Sequence, residues 1–317
     1  MFNKKNVLVL GGSGFIGTNL LEALKSTGAY LRATYFTHKP AELDNKVDYV
    51  QCDLRISEEC SRVMKGIEYV FMCAANTSGA AVIQSNPLSH VTPNIIMNSL
   101  SLEAAHAAGV KKFLFLSSNT VYPPMDRPAE ELDVFTGELY DKYFCVGWMK
   151  RFSEILCEMY ATKIRSKMDV IIVRPGNAFG EHDHFGLDNS HVIPALIHKV
   201  IERHNPIEVW GDGTETKDFI YVKDLVFGIL LAMEKSSGFQ QFNIAFGESF
   251  SINRVLRWIL EVEHHNANIS YDMEKPQMIP RRFISIDKAR NRLGFQPKFS
   301  IRDGLRNTIE WARSTYY

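Results

Sequence analysis

Short runs of valine, isoleucine, leucine and phenylalanine recur between stretches of helical period, and this alternation limits the possible folds more than any other feature of the chain. The runs are NVLVL (6–10), YLRATYF (30–36), YVFMCAA (69–75), KFLFLSS (112–118) and VIIVRP (170–175). Continuous apolar strands of this length suit a parallel sheet covered on both faces, where neither side of the strand meets water. Between them lie TNLLEALKSTG, ISEECSRVMKG and NIIMNSLSLEAAHAAG, each helical in period and each closed by a glycine. Strands and helices in this order predict a doubly wound parallel α/β sheet.

After about residue 175 the rhythm changes. A polar, glycine-rich loop, GNAFGEHDHFGLDNSH, leads to a helix, VIPALIHKVIER, and a short strand, IEVWGDG. FIYVKDLVFGILLAMEK then reads as a strand running into a helix, and further helices are expected near 251–263 and 302–315. The expected division is a dinucleotide-binding Rossmann domain of residues 1–175 plus 216–246, and a smaller substrate-binding α/β domain of residues 176–215 plus 247–317. A cleft is expected at the carboxyl ends of the strands.

The 36 lysines and arginines balance the 36 aspartates and glutamates, with no basic block, which argues against nucleic acid or an anionic membrane as partner. The apolar run in MFNKKNVLVLGGSG is too short for the core of a signal peptide, and no stretch approaches a membrane span, so a cytoplasmic protein is expected. Five scattered cysteines without a CxxC pair read as reduced thiols rather than a disulfide frame or zinc site.

Two segments carry chemistry. VLVLGGSGFIGTNLLEAL sets Gly11, Gly14 and Gly17 between a strand and a helix, with Phe15 and Ile16 in the first helical turn. Glycine is needed there because the backbone must turn sharply and approach a pyrophosphate seated at a helix N-terminus. The second strand ends in RATYFTHKP, with Tyr35 and Phe36 where an acid would bind the 2′-hydroxyl of NAD, and His38 and Lys39 nearby. No carboxylate repels a 2′-phosphate, which favours NADP over NAD; alternatively His38 and Lys39 decorate an exposed loop. The other segment is YFCVGWMKRFSE, where a helix would put Tyr143, Val146 and Lys150 on one face. Lys150 is either a snorkelling surface lysine or part of a site.

These patterns converge. GGSGFIG, CDL (52–54), CAA (73–75), SSNTVYP (117–123), LCEMY (156–160), RPGNAFG (174–180), NSHVIPAL (189–196), WGDGTETKDFIYVKD (210–224) and LGFQP (293–297) occur in one order across the chain. In this the sequence resembles the extended short-chain dehydrogenase/reductase family, and most nearly its fucose-synthase-like nucleotide-sugar epimerases and reductases. The resemblance implies that Asp53 and Leu54 contact the adenine, that Ala74, Ala75 and Arg174 lie along the cofactor path, and that Ser118 is the active-site hydroxyl. It implies that Lys150 holds the nicotinamide ribose. Asn119, Asn177, Val192, Lys217 and Arg282 would face the substrate, with Asn177, Lys217 and Arg282 at its diphosphate. Lysine stands at 217 where the family usually has arginine, so a bidentate grip becomes a point-charge contact. Helices near 94–108 and 144–162 resemble the family's four-helix interface, which implies a homodimer.

The pattern breaks at the proton carrier. The family's catalytic tyrosine, four residues before the lysine, aligns with Val146, which transfers no proton. Tyr143 lies a turn earlier, about 10 Å of helical rise from Lys150. His191 matches a histidine acid/base of the fucose-synthase-like enzymes and titrates in a useful range. The third reading is a protein that binds its ligands without turnover. The family's cysteine after the active-site serine aligns with Thr120, too weak an acid to replace a thiol unaided, which counts against double epimerisation. His182 and His184 around Asp183 lack a third ligand at a usual spacing, so a substrate-covering loop rather than a metal site is expected. The expected activity is hydride transfer at C4 of a nucleotide sugar, GDP-linked by resemblance.

Overall fold

The computed structural model describes residues 1–40, 44–77, 85–185 and 190–317. Residues 186–189, which belong to the polar loop and include the first residue of NSHVIPAL, lie outside the described residues.

Strands β1 (Asn6–Leu10), β2 (Tyr30–Tyr35), β3 (Val47–Gln51), β4 (Tyr69–Met72), β5 (Lys112–Leu116) and β6 (Asp169–Pro175) follow one another up to residue 175. Strands β7 (Asn177–Phe179), β8 (Ile207–Trp210), β9 (Thr216–Tyr221), β10 (Phe239–Ile244), β11 (Ser249–Ser251) and β12 (Ile269–Asp272) come later. Seven of them form one parallel sheet in the order β10-β6-β5-β4-β1-β2-β3. The chain winds outward from β1 to β3, returns to β4 and winds the other way, so the strand order reverses between β1 and β4. This is the doubly wound Rossmann arrangement, which opens a crevice at the carboxyl ends of those two strands.

Alternation along the strands explains the two covered faces. Val7, Val9, Phe71, Leu114, Ile171 and Val173 belong to one core. Leu8, Leu10, Val70, Met72, Phe113, Phe115, Val170 and Ile172 belong to the other. Helices α1 (Phe15–Leu24), α2 (Ser57–Met64), α3 (Leu88–Ala107) and α4 (Phe144–Glu158) supply the covering residues, Leu20 and Leu24 to the first core and Cys60, Leu102 and Cys157 to the second. The first core runs on into the C-terminal part through α5 (Val192–Ile201), α6 (Val222–Lys235), α7 (Ile252–Val262), α8 (Asp287–Leu293) and α9 (Ile301–Tyr316). A three-stranded sheet β11-β9-β7 and a two-stranded sheet β12-β8 complete that part.

Two strands of the large sheet escape the apolar-run reading, β3 (VDYVQ) and β10 (FQQFNI), and both are its edges. An edge strand is buried less completely, so polar residues interrupt its run. Helix α3 begins at Leu88, two turns before the expected Asn94, and passes through Pro93. Proline lacks the amide that would bond the carbonyl of Ser89. Asn76 supplies the missing donor, its side-chain amide reaching Ser89 O at 3.0 Å, while its backbone is held in both directions by the Asn94 side chain at 2.9 Å. The cysteines are free thiols, and burial pushes Cys52 and Cys73 up to about 12 and Cys60 up to about 11, out of the range of nucleophiles.

Candidate active site

The dinucleotide loop sits where the strand order reverses. Gly11 ends β1 at φ +77°, and a Cβ there would stand 2.6 Å from Ala74 Cα at the end of β4. The two backbones touch, which only glycine permits. A Cβ at Gly17 would meet Gly11 O at 2.1 Å, so α1 packs directly on the turn. Gly11 N–H donates to Thr34 Oγ1 at 3.0 Å and Gly12 N–H to Thr34 O at 2.8 Å, which ties the loop to β2. Gly14 caps α1 without a side chain and is exposed, and Phe15 and Ile16 are half-buried beside it. The first-turn amides of α1 therefore face an open cradle, the shape and charge that a dinucleotide's pyrophosphate requires.

At the adenosine end Tyr35 is half-buried while Phe36, His38 and Lys39 are exposed. His38 Nδ1 lies 2.9 Å from Thr37 Oγ1. The Asp53 carboxylate is engaged by Arg55 through two hydrogen bonds of 2.8 and 2.7 Å, which hold it below the usual carboxylate range. The same guanidinium lies 5.0 Å over the Phe36 ring. Leu54 turns its side chain into the second core. Arg55 was not legible as a site residue, since nothing in the sequence says that it folds back over residue 36. Ala74 lies against Gly11, and Ala75 is exposed at the opening.

The hydroxyl loop follows β5. Ser118 Oγ accepts from Thr120 N–H at 3.2 Å and from Thr120 Oγ1–H at 3.0 Å, which leaves its own O–H to donate elsewhere. Asn119 Nδ2 donates to Pro175 O at 3.0 Å, pinning the loop to β6. A Cβ at Gly147 would be 2.7 Å from Thr120 O, so α4 seats directly against this turn. Lys150 is no snorkelling residue: it is 8% exposed, donates to Leu116 O at 2.9 Å and lies 4.8 Å over the Phe115 ring. Burial pulls its pKa down to about 8, with the Glu154 carboxylate opposing.

Tyr143 lies in a 3₁₀ turn ahead of α4. It packs with Val146, Tyr140, Met278 and Ile279, apart from the groups that Lys150 touches. His191 caps α5, 56% exposed on its side chain, with Nδ1 3.3 Å from Asp183 Oδ1. Val192, the first residue of α5, is half-buried beside it. His182 is bonded to Glu22 on α1 at 3.1 Å. Among the described residues no group of three His, Cys, Asp or Glu side chains converges on a point.

Two arginines expected at the ligands are turned inward. Arg174 is 1% exposed and spends its guanidinium on Glu154, Tyr122 OH and Glu131 O, so the expected cofactor contact is corrected to a buried ion pair. Arg282 is 3% exposed and donates to Pro123 O at 2.9 Å and Tyr122 O at 3.1 Å, so it braces the hydroxyl loop instead of facing a diphosphate. Its neighbour Arg281, bridged to Thr216 beside Lys217, is the exposed member of the pair. Successive residues on an extended segment point to opposite sides, a parity that the motif alone does not reveal. Lys217 Nζ pairs with Glu215 at 3.0 Å, and Asn177 Nδ2 holds Asp218 O at 3.0 Å.

A strand-order reversal with a glycine cradle, followed by a serine loop seated on a helix with a buried lysine, defines a class of dinucleotide-dependent enzymes. The chain belongs to the NAD dependent epimerase/dehydratase family, whose model matches residues 7–245. It is 28% identical over 310 residues to a putative GDP-L-fucose synthase 2 of Arabidopsis thaliana, covering 96% of this chain and 90% of that protein. A dTDP-4-dehydro-6-deoxy-D-allose reductase of Streptomyces bikiniensis is 29% identical over 321 residues, covering 98% and 96%. The UDP-glucose 4-epimerase of Thermotoga maritima, solved with UDP-glucose, superposes with a TM-score of 0.88 at 26% identity, covering 98% of this chain and all of that one. Nucleotide-sugar epimerases, dehydratases and reductases are thus the company this chain keeps, and its relatives carry three different nucleotides. No helix among the described residues is long and apolar enough to cross a membrane.

Proposed function

We propose that this chain is an NAD(P)-dependent oxidoreductase or epimerase that acts on a GDP-linked sugar by hydride transfer at C4. The observation that carries the reading is the pairing of an open pyrophosphate cradle with Lys150, buried beside the loop that presents Ser118. A bound nicotinamide dinucleotide would supply or take the hydride. Ser118 donates its free O–H to the C4 oxygen, Thr120 fixes that direction, and Lys150 holds the ribose. His191, exposed at the cap of α5, exchanges the proton. Lys217 and the exposed Arg281 offer positive charge for the substrate diphosphate. NADP is favoured over NAD by the exposed His38 and Lys39, by Arg55 over Phe36, and by the lack of an acid at the end of β2.

The reading extends to a cytoplasmic homodimer, with residues 1–175 plus 216–246 holding the cofactor and 176–215 plus 247–317 the nucleotide sugar. Phe144, Trp148, Phe152 and Ile155 of α4, with Met159 just past its end, form an exposed apolar stripe, and Ile96 is exposed on the neighbouring α3, the kind of face that a second copy buries.

One observation favours a second reading, a member that binds its ligands without turnover. Val146 packs against the cluster of Tyr143, Met278 and Ile279, so the residue that stands in the place of the family's tyrosine is engaged in apolar packing and carries no proton. Purified protein with NADPH or NADP, assayed against GDP-, UDP- and dTDP-linked sugars and 4-keto sugars, separates the two. Absorbance at 340 nm reports net redox, and proton NMR of the sugar reports epimerisation. We expect turnover with a GDP-linked member of the panel. Dinucleotide binding with no change in either signal across the panel would overturn the enzyme reading.

A further inference from the structure

The loop that follows β7 buries a carboxylate without fully satisfying it. Asp183 is 2% exposed, its Oδ1 accepts the His184 N–H at 2.8 Å and faces His191 Nδ1 at 3.3 Å, and among the described residues its Oδ2 has no partner. A carboxylate so enclosed is costly unless a positive or donating group meets it. The surrounding charges are already committed. Glu22 of α1 holds His182 at 3.1 Å, while Lys223 of α6 and the Tyr221 hydroxyl of β9 both hold Glu181 Oε1, at 2.8 and 2.6 Å. Trp311 of α9 packs at a tilt against His182 and Phe185, and the Tyr316 phenol is raised by burial and by the Asp183 charge. Among the described residues, His191 is the one titratable side chain hydrogen-bonded to Asp183.

We propose that Asp183 is the positioning residue for His191: it keeps the proton on Nδ1 and so leaves Nε2 as the atom that exchanges a proton with the sugar. The inference rests on the reading of His191 as proton carrier. When the substrate gives up its proton, Nε2 takes it and the ring becomes an imidazolium whose charge Asp183 balances; in the reverse direction Nε2 returns it. No bond forms between ring and sugar. The carboxylate also raises the His191 pKa above 6.5. Its geometry thus supplies the two things that Val146 cannot, a fixed proton site and a counter-charge.

Histidine NMR titration of the full chain tests the pair without turnover, with His191 assigned by the resonance missing from His191→Asn. The wild-type ring is expected to titrate above 6.5 and to carry its neutral-state proton on Nδ1, and Asp183→Asn is expected to lower the midpoint by about 1 unit. An unmoved midpoint overturns the inference, whatever the activity. On the active substrate, Asp183→Asn is expected to lower kcat about 100-fold with KM nearly unchanged, and Asp183→Glu to restore part of it. A midpoint that moves while His191→Asn retains normal turnover overturns the proton-carrier reading instead. Should Asp183→Asn fold poorly, the wild-type tautomer decides alone, because a proton found on Nε2 rules the pair out.

Discussion

Val146 and Lys150 are one turn apart on α4 and have opposite fates. The lysine is carried inward to Leu116 O and Phe115, while the valine joins an apolar patch with Met278 and Ile279. That the lysine is not a snorkelling surface residue was readable from its place in the motif; which groups lie near it was not. Three-dimensional parity decided the arginines in the same way, sending Arg282 inward and leaving Arg281 exposed. Asp183 and His191 meet across a loop with no period, so no spacing rule could pair them. The lysine's burial has a measurable consequence. With a folded pKa near 8, against about 10.4 unfolded, the native state binds fewer protons between those values, so stability rises with pH through that window. Integrated from pH 8 to pH 10, the gain is about 2 kcal/mol. Urea unfolding at both pH values should show that increment in the wild type and not in Lys150→Met; equal increments would place the lysine's proton affinity near normal.

At the scale of elements, the interior strands and the central helices were legible because each is buried on the faces its pattern demands. The edge strands β3 and β10 were not, and the start of α3 was displaced by Pro93. A proline inside a helix signals a break when the helix must satisfy its own carbonyls. Here Asn76 satisfies the Ser89 carbonyl from outside the helix, and Asn94 of the helix holds the Asn76 backbone in place, a tertiary device with no local signature. The two asparagines should differ in weight. Asn94 is 2% exposed and serves both backbone groups of Asn76, so Asn94→Ala should cost about 2 kcal/mol and speed amide exchange in the first turns of α3. Asn76→Ala removes one solvent-accessible bond and should cost less than about 1 kcal/mol. Equal costs in chemical denaturation would contradict this division.

For the whole molecule, the sheet order and the paired cores follow from the repeated strand and helix alternation, whereas the outward stripe on α4 is a surface property that a core-seeking pattern overlooks. Phe152 and Trp148 are more than 40% exposed, in a segment whose other side is packed against the sheet and α3. The 36.1 kDa chain should therefore sediment at about twice its mass, and Trp148→Asp with Phe152→Asp should return it to one mass with its far-UV spectrum unchanged. A wild-type chain that sediments at 36.1 kDa would remove the dimer.

The brace from Arg282 reaches beyond stability. The turn that carries Ser118 is anchored to the sheet through Asn119, and its far end, at Tyr122 and Pro123, hangs from an arginine of the C-terminal segment. Arg281, the next residue along the chain, is exposed beside Lys217. One peptide unit thus separates the exposed guanidinium from the one that suspends the serine's turn, so a displacement of residue 281 would act directly on the segment that carries Ser118.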